Sequence, residues 1–432
     1  MQLRHVVTCF LVRDDDGRVL LGERSEDVHT YPGHWAGISG SVEEAGPLEQ
    51  AYREIEEEAG LMRSDVQLRS EGWPVRFTDW DLGTVWVVHP YRFRCDAPER
   101  VRRDWEHIRF DWVEPERIPH LETVPKLAEA WESADRHDGR PEPDWIFERV
   151  REDRDHGADE LGVWTLMGLR RAAEELCQGG DWRRHFRKAC RRALSLRPSM
   201  APVVAAGLDA WNLASGNDAP ERLVEKLEEL VAEREQAALR AAEAAAERIP
   251  DGAHVVTLSY SFSVLATLRE AAERVGRLTV AESRPACEGR RTAELAASFG
   301  IETELVTDAV AARTAQDADL VLTGADSLLP DGGVVNKVGT FALCCAAARG
   351  AGRTLAAASE SKVLPTGHEP EMEQMDPAEL GESIPGVDTH NVYFETVPAD
   401  LIDEIVTEHG LTRPDAPNNR ALRLKEARDS LS

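Results

Sequence analysis

From His254 onward the chain repeats one rhythm: a short apolar run, a polar loop, then an amphipathic stretch. VVTL reads as a strand, followed by SYSFS and a helix over Val264–Val275. LTVAE is the next strand, followed by SRPACEGR and a helix over Thr292–Phe299. Glu302–Val306, Asp319–Leu322 and Thr354–Ala358 are further strands, with helices at Val310–Thr314 and Val338–Arg349. Strand and helix in alternation mean a parallel sheet with helices on both faces. Such a sheet binds ligands in the crevice beyond the C-terminal ends of its strands. The polar residues fall there. Ser259, Ser261 and Ser263 follow the first strand and open a helix, an anion-attracting arrangement. Glu282, Ser283 and Arg284 follow the second strand, and Gly324, Ala325 and Asp326 the fourth. Asn336, Lys337 and Gly339 precede the next helix, and Lys362 follows the fifth strand. Arg284 and Lys337 suit a phosphate. Loops are polar in any protein, but this convergence on one rim points to a pocket for a phosphorylated sugar or nucleotide.

A second stretch, Gly40–Leu61, reads GSVEEAGPLEQAYREIEEEAGL. Pro47 suits a first helical turn and Gly60 the residue just past a helix end. Leu48, Ala51, Tyr52, Ile55 and Ala59 recur at helical spacing and would face a core. Glu54, Glu57 and Glu58 are three and four residues apart, so they share one face. Carboxylates this close repel one another unless something positive sits among them. A hard divalent cation with oxygen preference, Mg²⁺ or Mn²⁺, is the natural occupant. Arg53, one turn before Glu57, is placed to hold that carboxylate. A merely solvated acidic helix would not also need the Arg–Glu step, the Glu–Glu pair and the closing Gly–Leu. His29, Tyr31 and Trp35 lie upstream and suit either stacking on a base or sugar, or core packing.

Around this stretch residues 3–12 and 18–23 form a hairpin. Trp35–Val42, Val85–Phe93 and Phe110–Val113 are further strands, and Val124–Ala134 is a second helix. Residues 1–136 therefore form an α/β/α sandwich. The charged, Pro- and Gly-containing run 135–144 is a linker. Residues 145–249 are helical: Asp159–Leu176, Arg183–Leu196, Pro202–Leu213, and a long helix from Pro220 to about Arg248 capped by Asp218. Residues 250–415 hold the parallel sheet, giving an α/β protein overall.

Composition excludes some functions. A net charge of −28, with six lysines against 45 arginines, repels nucleic-acid phosphates and argues against direct nucleic-acid binding. Such a surface suits a salt-rich, halophilic cytoplasm, where screening relieves self-repulsion. The seven cysteines, at 9, 95, 177, 190, 287, 344 and 345, form no CxxC pair and fit reduced cytosolic thiols. No secretory leader and no membrane span is expected.

The stretch from Gly40 resembles the Nudix box: Gly, five residues, Glu, seven residues, then Arg-Glu-apolar-x-Glu-Glu-x-Gly-apolar. The second half matches at every fixed position. The first half is one residue short, and Gly46 stands where the first Glu is expected, with Glu43 or Glu44 as substitutes. This resemblance implies hydrolysis of a nucleoside diphosphate linked to another group, with Glu54, Glu57 and Glu58 holding the metal. It also implies a further acid outside the box, for which Glu99, Glu106, Glu114 and Glu116 are candidates.

ESRPACEGR, GADSLLPDGGVVNKVGT and YFETVPADLIDEIVTEHG resemble the family of initiation factor 2B alpha, beta and delta subunits, which includes ribose-1,5-bisphosphate and methylthioribose-1-phosphate isomerases. That resemblance implies a helical subdomain, a Rossmann-like one, and homodimerisation or higher assembly through the latter. The isomerases use a Cys after the first strand with the Asp of the GAD motif. Here Asp326 is present, but the loop reads Ser259-Tyr260-Ser261, and Cys287 is in a different loop. The expectation is a Nudix-type hydrolase of a nucleotide substrate, fused to a ligand-sensing module. Two alternatives are a non-catalytic protein that docks to a translation initiation factor, and a sugar-phosphate isomerase.

If the acidic surface is adapted to salt, the melting temperature should rise between low and molar KCl. A melting temperature unchanged by KCl would refute the salt reading.

Overall fold

The computed structural model describes residues 1–432 except 44, 137, 154–155, 177–180, 215, 217–218, 371, 373, 415, 417 and 432. The chain divides into two compact units, Met1–Pro141 and Glu142–Ser432.

The first unit is built on β1 (Gln2–Arg13), β2 (Val19–Arg24), β3 (Trp35–Ala36), β4 (Ile38–Ser41), α1 (Pro47–Ala59), β5 (Val66–Glu71), β6 (Val75–Asp79), β7 (Thr84–Cys95), β8 (His107–Val113) and α2 (Leu127–Asp135). Its spine is β1 lying parallel to β7 from Gln2↔Thr84 to Arg13↔Cys95. Alternation along β1 splits its side chains between two cores. Val7, Cys9 and Leu11 pack with Ala51, Ile55 and Ala59 of α1. Phe10 packs on the other face with Leu127, Ala130 and Trp131 of α2. The sandwich expected from the sequence is present. The single strand expected over Trp35–Val42 is two short ones, β3 pairing with β2 and β4 with β1. Strands β5 and β6 escaped the sequence reading. Every residue of β6 is half-buried, so no apolar–polar alternation marks it.

The second unit opens with five helices: α3 (Pro143–Glu152), α4 (Ala158–Leu176), α5 (Trp182–Leu194), α6 (Ala201–Ala214) and α7 (Pro220–Ala246). Helix α3 starts inside the run read as a linker, with Pro143 in its first turn. Asp218, expected to cap α7, lies outside the described residues, and Ala219 stands at the N-cap position. Then follow β9 (Ala253–Thr257), α8 (Phe262–Glu270), β10 (Val275–Ala281), α9 (Gly289–Ser298), β11 (Thr303–Val306), α10 (Asp308–Ala315), β12 (Leu320–Thr323), β13 (Ser327–Leu328), β14 (Val334–Lys337), α11 (Thr340–Ala347), β15 (Arg353–Ala357), β16 (Phe394–Val397), β17 (Glu404–Thr407), β18 (Gly410–Thr412) and α12 (Asn419–Leu431).

The main sheet runs β11-β10-β9-β12-β15-β17-β18 and is parallel except for β18. Strand order reverses at β9, which has β10 on one side and β12 on the other. Residues of α7, α8 and α9 pack on one face, and residues of α10 and α11 on the other. The helix expected over Val264–Val275 stops at Glu270, because Val275 is taken into β10 opposite Ala253. Strands β13, β14 and β16 form a small separate sheet that the sequence did not announce. Among the described residues no helix is long and apolar enough to cross a membrane.

Helix α12 lies beyond the stretch read as the sheet domain. It is held by Arg420, whose guanidinium reaches Asp209 of α6 at 2.8 Å, while Arg234 of α7 reaches the same carboxylate at 2.6 Å. Burial alone would raise the Asp209 carboxyl. The two guanidiniums overcome that and hold it below the ordinary carboxylate range. Replacing Asp209 by Ala takes the carboxylate from the largely buried Arg234 and leaves the buried Arg420 only the more distant Glu360 carboxylate, at 3.7 Å. The expected loss is about 3–5 kcal/mol, read from urea unfolding of the full chain. A loss under about 1 kcal/mol would mean that the guanidiniums escape to water.

Candidate functional site

In the first unit α1 places its carboxylates unequally. Glu58 is 3% exposed. Its Oε1 accepts the Ser39 N–H at 3.3 Å from β4, and its Oε2 has no hydrogen-bond partner. Glu54 is half-buried, and Gln50 Nε2 donates to its Oε1 at 2.7 Å. The side chain lies directly over Gly40, where a Cβ would fall 1.7 Å from Glu54 Oε1. A side chain at 40 would displace the Glu54 carboxylate from this place. Glu57 is exposed, yet its charge acts on Glu54 and on Glu106. Gly46, in place of the expected first glutamate, is the N-cap of α1 at φ +83°, a conformation that strains any side-chain-bearing residue.

A turn before β8 completes the cluster. His107 is 1% exposed, and its Nδ1 lies 3.0 Å from Asp104 Oδ1. Its Nε2 lacks a partner and faces Glu58 Oε2 at 3.6 Å, too far for a hydrogen bond. Gly22 of β2 makes room for this ring, since a Cβ there would meet His107 Cδ2 at 2.2 Å. Burial raises the Glu58 carboxyl well above its ordinary value, and the charges of Glu54, Glu106 and Asp104 add to the rise. Burial likewise raises Glu54 and Glu106 and lowers His107, leaving its imidazole neutral.

A divalent cation fits this donor set. The Glu58 carboxylate is held out of water with the half-buried Glu54 close by, and its orphaned oxygen faces an orphaned ring nitrogen. Among the described residues, no three acidic, His or Cys side chains are yet drawn into a coordinating group. Of the candidate acids outside the box, Glu106 is the one coupled to the box glutamates. Glu114 instead pairs with Arg18 at 3.4 Å, and Asp104 and His107 were not foreseen. Arg53 does not turn back to Glu57; its Nη1 reaches Glu43 Oε2 at 3.5 Å. Glu44 lies outside the described residues. Tyr31 bonds Asp79, and Trp35 packs on the α2 side under the Arg109 guanidinium at 5.0 Å, so both serve packing. His29 is exposed.

In the second unit the rim of the parallel sheet gathers most of the foreseen residues. Ser259, at φ +64°, donates through Oγ to Glu288 at 3.1 Å. Ser261 caps α8 by accepting from Val264 N. Asn336 is spent on Thr323 and Thr340, at 2.7 and 3.0 Å. Lys337 Nζ lies 2.8 Å from Glu288 Oε1 and 3.8 Å from the Tyr393 ring centroid. Lys362 Nζ lies 3.1 Å from Asp159, which α4 brings in from the helical part. Burial pulls the Lys362 ammonium down, and Asp159 with Asp326 more than reverses it. Asp326 is raised by burial, against the pull of Lys362 and Lys337. Arg284 departs from the expectation: its side chain is exposed, and its backbone N–H bonds Asp308 at 2.9 Å. Asp159, Glu288 and Tyr393 were missed. Only the fold brings them to this rim.

Folding holds the Glu58 proton more tightly than the unfolded chain does. The ionised carboxylate therefore costs stability as pH climbs from about 4.5, its ordinary value, through the raised folded value. In divalent-free buffer Glu58→Gln is expected to melt above the parent at pH ~7 and level with it near pH ~4. Identical melting at both pH values would mean that water reaches the carboxylate.

Residues 3–133 match the NUDIX domain, and residues 154–414 match the Initiation factor 2 subunit family. Ribose 1,5-bisphosphate isomerase of Haloferax volcanii is 32% identical over 45% of this chain and 63% of its own length. The enzyme of the same name from Haloterrigena turkmenica is 30% identical over 60% of this chain and 89% of its own. The crystal structure of the Pyrococcus horikoshii translation initiation factor eIF-2B superposes with a TM-score of 0.51 at 28% identity, over 63% of this chain and 97% of that one. The chain is thus a member of the initiation factor 2 subunit family that also carries a NUDIX domain.

Proposed function

We propose that the first unit hydrolyses a nucleoside diphosphate linked to another group, and that the second binds a phosphorylated sugar or nucleotide. The observation that carries the first half is the buried Glu58, its Oε2 without a hydrogen-bond partner, beside the half-buried Glu54, both carboxyls raised. A site charged this way favours a divalent cation, Mg²⁺ or Mn²⁺. Glu54, Glu57 and Glu58 would hold it, with Glu106 nearby. When bound, the cation supplies Lewis acidity and an activated water. Gly40 lets Glu54 close on β4, Ser39 orients Glu58, and Asp104 fixes the His107 ring. The reaction class is cleavage of a P–O–P bridge by water.

A second reading, sugar-phosphate isomerisation by the second unit, is favoured by the names of the relatives and by Asp326, whose carboxyl burial raises against the pull of Lys362. Tyr260 weighs against it: it stands where the isomerases of the family carry a thiol, and its ring lies under Arg291 at 4.5 Å. We assign the second unit a sensing role, and assembly as a homodimer through it. A cytoplasmic setting accords with the free thiols of Cys9, Cys95, Cys190, Cys287, Cys344 and Cys345.

The test is a panel of ADP-ribose, NADH, dinucleoside polyphosphates, nucleoside triphosphates and ribose 1,5-bisphosphate, with Mg²⁺ or Mn²⁺ in molar KCl. Release of AMP or phosphate should fall roughly 100-fold or more in a Glu57→Gln, Glu58→Gln variant. No turnover of any diphosphate, with a translation initiation factor retained by the chain, would favour a docking protein. Isomerisation of ribose 1,5-bisphosphate, lost in Asp326→Asn, would establish the second reading.

A further inference from the structure

Helix α12 is attached to two different parts of the second unit. Near its start it grips the segment that carries Lys362 to the rim. Arg420 Nε donates to the Glu360 carbonyl at 2.9 Å, while Nη2 of the same guanidinium holds Asp209 of α6. Thr366 N–H donates to the Ala421 carbonyl at 3.1 Å, and Arg428 Nη2 to the Thr366 carbonyl at 3.0 Å. The far end is held by the helical part. Arg187 and Arg191 of α5 donate through Nε to the Leu431 carbonyl at 3.1 and 2.7 Å. Arg187 Nη2 also reaches the Ser430 carbonyl at 3.2 Å, and Trp211 Nε1 of α6 donates to Ser430 Oγ at 2.9 Å. Cations at the last carbonyls of a helix satisfy them and complement the helix dipole. Ala421 and Leu431 are ten residues apart, so these two attachments lie roughly 15 Å apart along the axis.

The turn Glu360–Lys362 has the rim on its other side. Ser359 and Ser361 donate through their hydroxyls to Asp159 Oδ1 at 2.6 and 2.9 Å, and Lys362 Nζ lies 3.1 Å from Asp159 Oδ2. One short turn is thus clamped between α12 and α4. Helix α12 depends on its docking. Its thirteen residues are too few to stay helical alone in water. The chain leading into it is solvated, with Arg413, Ala416 and Asn419 exposed. What holds it is the burial of Ala421, Leu424, Ala427 and Leu431 together with the pairs at its two ends. Helix formation and docking of α12 are therefore coupled.

We propose that α12 is a strap through which α5 and α6 control the turn that presents Lys362 to the rim. With α12 docked, the Arg420 grip on the Glu360 carbonyl fixes the turn and places Lys362 at the pocket. With α12 released, the turn loosens and the rim binds its ligand more weakly. By linkage, a ligand that engages the rim tightens α12 at its far end. The ligand half of this inference rests on the sensing role assigned to the second unit; the strap itself does not.

Two measurements on the full chain test it, each on the parent, on Arg420→Ala, and on a far-end variant, Arg187→Ala with Trp211→Phe, which leaves Arg420 and Asp209 in place. The first is amide hydrogen exchange. Both variants should speed exchange at Lys362 and Val363 about ten-fold, with Val255 and Val256 of β9 at parent rates. The far-end variant is decisive, because it touches nothing near the turn and survives even if Arg420→Ala does not fold. Parent exchange rates at Lys362 and Val363 in that variant, or a rise shared by β9, overturn the proposal. The second is equilibrium binding of ribose 1,5-bisphosphate, which both variants should weaken about ten-fold. Equal affinity in the parent and the far-end variant overturns the coupling to the ligand. If the parent does not bind this probe, the sensing reading fails for it and hydrogen exchange alone decides whether the strap exists.

Discussion

Glu58 is the constraint around which the first unit is arranged. A carboxylate taken out of water without a partner is among the most expensive features a fold can carry. Here the cost is structural. Helix α1 packs Ile55 and Ala59 into the core beside β1 and β7, and the helical repeat then leaves Glu58 no route to solvent. Glycines at 22 and 40 admit His107 and Glu54 to the same volume, so the negative charge is concentrated. The free protein bears this in a raised proton affinity, and a bound cation would relieve it.

The rim of the second unit follows the opposite logic. Its two buried ammonium groups are already matched: Lys337 by Glu288, and Lys362 by Asp159, whose other oxygen accepts from the hydroxyls of Ser359 and Ser361. A phosphate arriving there must exchange partners rather than fill an unmet charge. Ligand binding would therefore loosen Glu288 or Asp159, and Asp159 belongs to α4 in the helical part of the same unit. The rim is thus tied to the helices of the same unit through an ion pair.

Much of this was legible in the chain itself. Periodicity gave the box helix almost to the residue, because Pro47 and Gly60 punctuate it and the apolar stripe repeats at 3.6. The alternation after His254 gave the parallel sheet for the same reason. Strand β6 was illegible because it is half-buried throughout and shows no alternation. Helix α12 buries Ala421, Leu424, Ala427 and Leu431 along one face, and the Arg420–Asp209 pair then ties it to α6. Partner choice was harder still. Arg53 has Glu57 within one turn and yet reaches Glu43, ten positions back, because the loop before α1 folds alongside it.

Residue identity and spacing by themselves determined that Glu54, Glu57 and Glu58 lie close on one helix, that the sheet is parallel, and that its polar loops share one rim. These are properties of neighbours along the chain, set by 1.5 Å of rise per residue or by the strand–helix rhythm. Only the tertiary structure decided that Glu58 is buried while Glu57 is not. It also chose Glu106 over three other acids, placed Asp104 and His107 beside the box, and neutralised Lys337 and Lys362 from distant segments. Burial and long-range pairing depend on which surfaces close over a residue, and no local pattern carries that information.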